Sequence, residues 1–534
     1  MEVFFYIWFS LRVLFIGLLF FFILSGLDDL FVDAVYYLRV IFRRLFRRDV
    51  IHPVTIEQLE SKAQQSIAIL IPAWDESNVI GSMLRNTLQT VLYHNYYIFI
   101  GTYPNDEATR REIQKVREEY ANVEFVITPA NGPTNKADCL NWILQGIHVF
   151  EKEHNIQFDI FLMHDAEDVI HPLSLLYYNS LIPKCDFIQL PVFPFMTRWH
   201  NFTHGVYMDE FAENHAKEMR VREMMAQALP SAGVGTALSR RIMDYMAAQR
   251  DNQVFDVSSV TEDYLMGVRL KDFPGKKIFL QQAIRRDPAL KSREPIATRE
   301  YFPGTFRASI RQKSRWILGI SLQGWRVGWT NSLGSNYFLF RDRKAILSNF
   351  VVILGYVIVL FWIGSVCVNH LLDIYIPPLV DIHEPYAYLV WVVLFIFLWR
   401  ISNRIYSSGH IYGPLHGFLA LPRLFWGNII NFTAAWLALK RYIHSLRTGT
   451  TPAWGKTEHA FPTEAQLRGY HKRLGDILMA KRMIKSSQLH SALEQQKTTG
   501  KRLGEILVEN GALRPSDLEA ALQEQDGGEN SNRD

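Results

Sequence analysis

Cysteine is scarce in this chain, with only Cys139, Cys185 and Cys367 among 534 residues. Their spacing matches no metal-ligand pattern and predicts no disulfide framework, so the composition favours a reducing compartment. A strong net charge is also lacking, because 57 basic and 53 acidic residues leave +4. This small basic excess belongs to the flanks of apolar segments, and we expect no nucleic acid polymer as a partner.

Charge is nearly missing from the first apolar segment, residues 3–25, in which Arg12 is the single charged residue. A helix of this length, at about 1.5 Å per residue, spans a hydrocarbon core of about 30 Å. A cleaved signal peptide is the alternative, but the basic leader and the small-residue cleavage site are lacking. We therefore predict a transmembrane helix over residues 1–28.

A basic segment follows and is predicted to be an interfacial helix over residues 29–50. Positive charge beside a span marks the cytoplasmic side, so the N-terminus is expected outside and the next block inside. Two more spans are predicted within 347–400. The Pro- and Gly-interrupted block 401–446 is predicted to form interfacial or re-entrant helices, with two short spans as the alternative. The basic segment contains Arg39, Arg43, Arg44, Arg47 and Arg48.

Between the spans, residues 66–341 alternate apolar strands with helical stretches, which predicts a layered α/β domain. In open α/β sheets, ligands bind beyond the carboxyl ends of the strands. Acidic residues gather at those ends, most densely in "DAED" at 165–168. The predicted strands are 66–72, 96–106, 122–129, 159–168 and 186–192.

The acidic residues Asp165, Glu167 and Asp168 repel one another unless a cation neutralises them. Mg²⁺ and Mn²⁺ prefer carboxylate oxygens and bridge to phosphates. An extended Asp-Ala-Glu step would direct the carboxylates of Asp165 and Glu167 to the same side. Alternatively, Asp165 or Asp168 caps a following helix. The pattern indicates a divalent metal site at Asp165 and Glu167.

Two further motifs follow in order, "TED" at 261–263 and "QKSRW" at 312–316. With the acidic turn they resemble the family 2 glycosyltransferases of the processive, cellulose-synthase and hyaluronan-synthase type. The resemblance covers the soluble block and implies a GT-A glycosyltransferase domain inserted between transmembrane helices. It also implies an inverting hexosyltransferase that uses a UDP-sugar donor and a growing polysaccharide acceptor.

The resemblance assigns the central chemistry to three residues. Asp165 and Glu167 would hold Mg²⁺ or Mn²⁺, although the family has Asp where this chain has Glu167. Asp263 would be the general base that takes the proton of the acceptor hydroxyl. A helix N-cap box beginning at Thr261 is the other interpretation of "TED".

Eight more positions are implied to bind substrate. Glu76 and Asp106 would hold the base and ribose, although "YPNDEAT" lacks the paired aspartates that the family usually has there. Arg315 would clamp diphosphate oxygens and Trp316 would stack on the acceptor sugar. The glycines of "AGVGT" at 232–236 are expected where backbone approaches the acceptor. The set is Glu76, Asp106, Lys136, Asp138, Glu262, Gln312, Arg315 and Trp316.

After a linker predicted at 447–470, a unit of the sequence is duplicated. "RLGDILMAKRMIKSSQLHSALEQQ" at 473–496 recurs as "RLGEILVENGALRPSDLEAALQEQ" at 502–525, an offset of 29 residues. The leucines have helical spacing and are expected to fill a core, whereas the Arg-Leu-Gly start and the final Gln are not expected to be needed for packing. Residues 527–534 are predicted to be a disordered tail.

This duplicated unit resembles the N-terminal domain of type II secretion and pilus ATPases that binds cyclic di-GMP. The resemblance implies a c-di-GMP-binding tandem-repeat domain over 471–526, all α-helical, in which each unit holds half of the ligand. An interaction module without ligand is the alternative. The implied binding residues are Arg473, Leu474, Gly475, Gln496, Arg502, Leu503, Gly504 and Gln525.

Together, the anchored synthase and the dinucleotide-binding tail resemble the phage-adsorption protein B family of the bacterial inner membrane. This implies a processive glycosyltransferase that makes an exopolysaccharide from a UDP-N-acetylhexosamine, with c-di-GMP as allosteric activator and a role in phage adsorption. Few spans imply a homodimer or an outer-membrane export or receptor partner. The alternatives are a non-processive enzyme acting on a lipid carrier and a non-enzymatic membrane receptor scaffold.

Overall fold

In the computed structural model, the described residues are 2–46, 56–182, 184–226, 228–250, 252–284, 294–381, 383–449, 460–467, 474–481 and 483–530. The first helix, α1 (Glu2–Phe46), is 45 residues long. It runs without a break from the predicted span into the segment expected to be a separate interfacial helix. Residues 2–46 contain no proline, so nothing in the sequence interrupts the helical hydrogen bonds. Arg47 and Arg48 lie outside the described residues.

The soluble block is built on a seven-stranded sheet in the order β3-β2-β1-β4-β6-β5-β7. β6 runs antiparallel to β4 and β5, and the other pairings are parallel. The five strands predicted from the sequence are present, and β6 and β7 are additional. The strands are β1 (Ile67–Pro72), β2 (Tyr96–Thr102), β3 (Val123–Ile127), β4 (Ile160–Met163), β5 (Phe187–Gln189), β6 (Thr236–Ser239) and β7 (Lys277–Phe279), with a separate pair β8 (Ala283–Ile284) and β9 (Glu294–Pro295).

Both faces of this sheet are covered, because alternate residues of β1 enter different hydrophobic clusters. Ile67, Ile69 and Ile71 pack on one face, and Ala68 and Leu70 pack on the other. This is the period of two that a strand imposes on its side chains. A mostly parallel sheet needs such cover on both faces, and the predicted layered α/β domain is confirmed.

Helices form the outer layers of the block. The side chains of Asp106, Asn135 and Thr305 cap three of them, α4, α5 and α11, and so fix the loops after β2 and β3 and the start of the "QKSRW" helix. Short π-helical turns at Asn214–Glu218 and Leu318–Leu322 extend α7 and α11. The helices are α2 (Ile56–Glu60), α3 (Ile80–Thr90), α4 (Glu107–Glu119), α5 (Lys136–His154), α6 (Ser174–Leu181), α7 (Phe202–Glu213), α8 (Met219–Met225), α9 (Arg240–Ala248), α10 (Glu262–Arg269) and α11 (Phe306–Ile317).

Three long helices follow, α12 (Leu333–Leu371), α13 (Tyr386–Tyr412) and α14 (Pro414–Thr448). Within the described residues, α1, α12 and α13 are long and apolar enough to cross a membrane. α14 is one helix where the sequence suggested several short segments. It continues through Pro422 because Ala420 and Arg423 on either side are buried against other helices, and these contacts outweigh one lost backbone hydrogen bond.

Ion pairs hold α1 at two positions along its length. Asp28 Oδ2 lies 2.6 Å from Arg341 Nη1 and 2.5 Å from Lys344 Nζ, both on α12. Arg12, the single charged residue of the first apolar segment, pairs at 2.9 Å with Glu384 in the connection between α12 and α13. These contacts fix the position of α1 along α12.

The C-terminal repeat forms its own small helical core. Its core residues are equivalent positions of the two copies, such as Ile477 with Ile506 and Ala492 with Ala521. α16 contacts α19, and α17 contacts α18. Each contact joins a helix of the first copy to the non-equivalent helix of the second, so the two copies pack with two-fold pseudosymmetry. α19 extends into the tail predicted to be disordered, and 531–534 lie outside the described residues. The helices are α15 (Glu464–Leu467), α16 (Leu474–Ala480), α17 (Ser486–Thr499), α18 (Leu503–Glu509) and α19 (Pro515–Asn530).

Candidate active site

The acidic turn after β4 is fixed by a buried carboxylate. Asp168 Oδ2 accepts a hydrogen bond from the backbone N of Asp165 at 3.0 Å and lies 2.7 Å from His164 Nδ1. The backbone N of Asp168 donates to Asp165 O at 3.3 Å. The extended geometry predicted for Asp165 and Glu167 is therefore wrong, because these bonds close a turn. Neither aspartate caps α6, whose N-cap is Leu173.

This turn opens onto a cavity of about 650 Å³. Widely separated segments of the chain contribute the polar residues at this end of the cavity. The cavity then continues past Trp316 to α1, α12 and α13, where Gly26, Asn349 and Trp399 line it. The residues predicted from the sequence that line it are Glu76, Lys136, Asp165, Glu167, Glu262, Asp263, Gln312, Arg315 and Trp316.

Asp106 and Asp138 are not among the described residues that line this cavity. Asp106 Oδ2 accepts a hydrogen bond from the backbone N of Asp75 at 2.5 Å, and its other oxygen caps α4. Asp75 has a φ of +56°, and this turn brings the next residue, Glu76, to the cavity. Asp138 lies in the first turn of α5, where its backbone N donates to Asn135 Oδ1 at 2.8 Å.

Lys136 stands among the carboxylates of the cavity. Its Nζ lies 2.5 Å from Asp165 Oδ1. Burial alone would lower the pKa of Lys136, but the carboxylates of Asp165, Glu262 and Asp263 raise it well above its ordinary value. Lys136 is therefore charged, and the surrounding acidic groups create a place where positive charge is strongly stabilised.

The carboxylates themselves hold protons more tightly than usual. Burial, and then the charge of Asp263, raise the pKa of Glu262 to about 7 against the opposing charge of Lys136. Burial also raises the pKa of Asp263. Burial, followed by the charge of Asp168, raises the pKa of Glu300 well above its ordinary value. Burial and mutual repulsion therefore disfavour the ionised forms of these carboxyls, and a bound cation would favour ionisation.

Glu300 is a cavity residue that the sequence did not indicate. It reaches the acidic turn because Val169, next to Asp168, pairs in antiparallel fashion with Arg299. The backbone N of Val169 donates to Arg299 O at 2.8 Å. No motif surrounds Glu300, and a pairing between segments so far apart in the chain cannot be read from either segment alone.

The "TED" and "QKSRW" motifs line the same cavity as the acidic turn. Thr261 is the N-cap residue of α10, but its side chain makes no capping hydrogen bond. In the described part of the chain, Gln312 Oε1 is buried without a hydrogen-bond partner, which suits a group that meets a ligand. The indole of Trp316 lies 5.9 Å from the ring of Tyr207 and 6.1 Å from that of Phe302, so aromatic contacts fix it at the wall.

Carboxylate oxygens are the donor type that a divalent cation bound together with a phosphate ligand requires. Within the described ranges, no three His, Cys, Asp or Glu side chains are grouped to hold a metal ion. Asp165 and Glu167 nevertheless supply two carboxylates to one cavity. Mg²⁺ in nucleotide-dependent enzymes is commonly held by one or two carboxylates, with phosphate oxygens and water completing its coordination.

In the C-terminal repeat, the glycine of each unit serves packing, contrary to the expectation from the sequence. A Cβ on Gly475 would lie 3.0 Å from Leu489 Cδ1, and a Cβ on Gly504 would lie 2.6 Å from Leu518 Cδ1. The neighbouring leucines of the Arg-Leu-Gly starts, Leu474 and Leu503, also pack against this core. Close helix contact therefore accounts for Leu and Gly, whereas ligand binding by the polar positions stays a prediction.

Among those polar positions, Arg502 is exposed at the start of α18. Gln496 is half-buried, and its Nε2 donates to Lys501 O at 3.2 Å. Arg473 and the side chain of Gln525 lie outside the described residues. Arg502 and Gln496 are thus the two predicted polar ligand contacts whose side chains are described.

Comparison with known proteins identifies the family. Residues 63–319 match the family described as Glycosyltransferase like family 2. Bacteriophage adsorption protein B of Escherichia coli (strain K12) is 40% identical over 506 residues, which cover 91% of this chain and 67% of the relative. This chain belongs to the bacteriophage adsorption protein B family. Bacteriophage N4 adsorption protein B of Escherichia coli O157:H7 matches with the same identity and coverage.

The family 2 match and the mixed sheet together confirm that this member of the adsorption protein B family is a glycosyltransferase with a GT-A-like fold. Solved structures are more distant. A mannosyltransferase from Pyrobaculum calidifontis in complex with GDP-Man and Mn²⁺ is 10% identical with a TM-score of 0.43, over 78% of this chain and 98% of that one. Glucosyl-3-phosphoglycerate synthase from Mycobacterium tuberculosis is 17% identical with a TM-score of 0.23, over 35% and 61%.

Proposed function

We propose that this chain is a processive glycosyltransferase of the bacterial inner membrane. It transfers an N-acetylhexosamine from a UDP-sugar to a growing exopolysaccharide at the cytoplasmic face, and c-di-GMP activates it. The observation that carries the proposal is the single cavity that gathers Asp165, Glu167, Asp263, Arg315 and Trp316 and then continues between the long apolar helices. The acceptor chain would occupy this continuation.

In the proposed reaction, the acceptor hydroxyl oxygen attacks the anomeric carbon while the bond from that carbon to the diphosphate breaks. Asp263 takes the hydroxyl proton. Burial raises the pKa of Asp263, which makes it a better base at neutral pH than an exposed aspartate. One displacement inverts the anomeric centre. Trp316, fixed by its aromatic neighbours, would hold the acceptor sugar against this centre.

The diphosphate leaves with charge that the protein must stabilise. Arg315 lines the cavity and is positioned to pair with phosphate oxygens. A divalent cation at Asp165 and Glu167 would supply Lewis-acid stabilisation of the diphosphate when bound. Lys136, which is paired with Asp165 in the same cavity, would supply a further positive charge to the diphosphate.

Regulation by c-di-GMP is proposed for the tandem repeat, with Arg502 and Gln496 among the contacts. The segment before the repeat supports communication with the active site, because Leu467 is buried against Val169 and Phe195. Val169 directly follows the acidic turn. Ligand binding to the repeat can thus act on the turn through residues 460–467.

A non-processive enzyme that glycosylates a lipid carrier is the competing function, since a cavity that continues between apolar helices also suits a lipid. Product length separates the two, because repeated transfer to one acceptor gives long chains and a lipid carrier gives a single addition. For the processive enzyme we propose a homodimer or an outer-membrane export or receptor partner. The relatives are named for bacteriophage adsorption, and we extend that role to this chain.

The test uses membranes that contain the full chain, with UDP-sugars as donors and with or without Mg²⁺ or Mn²⁺ and c-di-GMP. The expected result is metal-dependent UDP release with a long polysaccharide product, increased by c-di-GMP. Asp263→Asn should reduce transfer by about 10²-fold or more without weakening UDP binding. Absence of UDP release from every donor, or full activity of the Asp263→Asn variant, would contradict the proposal.

A further inference from the structure

A buried lysine lies inside the "QKSRW" motif, and the reaction proposed above does not use it. Lys313, on α11, is 4% exposed. Its Nζ donates to the carboxylate of Glu210 on α7 and, at 2.9 Å, to Asn431 Oδ1 on α14. Asn431 Nδ2 donates to the other oxygen of Glu210 at 3.0 Å. These three residues form a closed ring of hydrogen bonds, which we call the Lys313 triad.

The triad joins the motif helix to two other helices. Besides the triad, Ser314 Oγ on α11 accepts a hydrogen bond from Arg441 Nη1 on α14 at 3.0 Å. Ser309 Oγ on α11 lies 3.0 Å from the hydroxyl of Tyr207 on α7. Directional polar contacts therefore hold α11 to both α7 and α14. They lie at Ser309, one turn before the motif, and at Lys313 and Ser314 within it.

The same contacts reach Trp316. Lys313 and Trp316 are three residues apart, so they lie on one face of α11. Lys313 Nζ stands 4.9 Å from the centre of the Tyr207 ring, and the Trp316 ring lies 5.9 Å from it. A shift of Lys313 relative to α7 would thus move Trp316 relative to its aromatic support.

A buried ion pair is a costly way to hold helices together, since apolar side chains of similar size serve as well or better. Burial lowers the pKa of Lys313 against the opposing charge of Glu210, so the ammonium depends on its partner. Unlike an apolar contact, the ion pair and its hydrogen bonds fix the orientation of α11 relative to α7 and α14. Glu210, Lys313 and Asn431 also line the cavity that Trp316 lines, so the orientation they fix is that of the site itself.

We propose that the Lys313 triad positions the "QKSRW" helix, so that α14 and α7 together set the placement of Trp316 in the active site. Lys313, Glu210 and Asn431 are positioning residues in this assignment and touch neither donor nor metal. The inference rests on the role given to Trp316 in the proposed function. Because α14 also packs on α12 and α13, the triad ties the site to the long apolar helices.

A second buried ion pair provides a matched control. Arg423 Nη2 on α14 lies 2.9 Å from Asp209 Oδ1 on α7, with side-chain exposures of 1% and 2%. This pair joins the same two helices as Glu210 and Asn431 do, at the neighbouring position on α7. Its hydrogen-bond partners lie on α7, α13 and α14, not on α11.

The experiment compares four variants of the full chain in lipid nanodiscs. Two are single variants, Lys313→Met and Lys313→Arg. The other two are the double variant Lys313→Met/Glu210→Gln and the control double variant Arg423→Met/Asp209→Asn. Three quantities are measured: kcat of polymer transfer, KM for the UDP-sugar, and amide hydrogen exchange of residues 306–317. The double variant at 313 and 210 removes both buried charges, so it should fold even if Lys313→Met alone does not.

For the 313 and 210 double variant we expect kcat to fall by about 10²-fold, the donor KM to stay within about twofold, and exchange in α11 to become faster. Lys313→Arg should recover part of the kcat, and the 423 and 209 control should keep the wild-type kcat. Wild-type kcat in the folded double variant, or an equal loss in the control, would overturn the proposal. If the wild-type chain releases UDP from no donor, the proposed function fails, and the exchange of α11 still decides whether the triad positions the helix.

Discussion

Gly233 lies directly against the carboxylate of Asp263, since a Cβ at position 233 would stand 2.5 Å from Asp263 Oδ2. Gly233 also has a φ of +78°, in the left-handed region that favours glycine. The glycines of "AGVGT" were expected to make room for the acceptor. In the structure, the first of them makes room for the proposed base.

Gly233→Ala should therefore reduce transfer by about 10²-fold, because the methyl group displaces the Asp263 carboxylate from its position. The matched control is Gly449→Ala, since Gly449 has a φ of +68° in the left-handed region and, among the described residues, no atom lies within 4 Å of a Cβ placed there. Both variants carry the backbone strain of about 1–2 kcal/mol, which thermal unfolding measures. Equal activities of the two variants would show that the contact with Asp263 is unimportant.

The rate of sugar transfer should fall as the pH is lowered. This fall should occur at a higher pH than it would if the base were an exposed carboxylate. Asp263 must be ionised to accept a proton, and burial raises its pKa and raises that of Glu262 to about 7, so the coupled pair takes up a proton as the pH drops through this range. Glu262→Gln removes one of the two carboxyls and should move the acid limb to lower pH.

Initial rates at saturating donor, measured from neutral to mildly acid pH, test this dependence. Glu107→Gln is the control, because its carboxylate is 76% exposed and pairs only with a solvent-exposed arginine on α4 in the described part of the chain. An acid limb that stays in place in the Glu262→Gln variant would rule out coupling between the two carboxyls.

Leu467→Ala should weaken the response to c-di-GMP more than it weakens basal transfer. Leu467 is buried against Val169 and Phe195, and the neighbouring Gln466 donates to the hydroxyl of Tyr301. Removing the side chain takes away the direct contact of this segment with Val169 and weakens its attachment to the acidic turn, without changing the repeat. The measurement is the ratio of transfer rates with and without c-di-GMP.

Leu522→Ala is the control for this ratio, because Leu522 is an exposed apolar residue in the repeat itself. The ratio should approach one in Leu467→Ala and remain at the wild-type value in Leu522→Ala. An unchanged ratio in both variants would mean that residues 460–467 do not transmit the signal.

Arg502→Ala should weaken c-di-GMP binding by about tenfold or more, since a lost charged hydrogen bond is worth about 1.5–3 kcal/mol. Arg514→Ala is the control, because Arg514 is also an exposed arginine of the second unit and pairs with Asp517 at 2.8 Å. Titration calorimetry on the full chain measures both affinities. Equal loss in the two variants would indicate a general charge effect and contradict a specific site.

The predictions from sequence were most accurate where a local pattern controls the structure. Five strands were found because each is a short apolar run, and the duplicated C-terminal unit was visible by direct comparison. β6 was missed, since "TALS" is short and not strongly apolar. The turn at 165–168 was expected to be extended, because the bonds that close it depend on the carboxylate of Asp168 in a buried place.

The order of the acidic and aromatic motifs was enough to identify the enzyme family. The types of the motif residues and their order along the chain can be read without knowing where the strands lie. Long apolar stretches were likewise enough to indicate helices that could cross a membrane. The tertiary structure decided the rest: Glu300 beside the acidic turn, Gly233 beside Asp263, and Lys313 joined to Glu210 and Asn431. Each of these contacts joins segments that are distant in the chain. Whether a charge is buried or a contact is close depends on the residues that surround it in space, and its neighbours in sequence do not specify them.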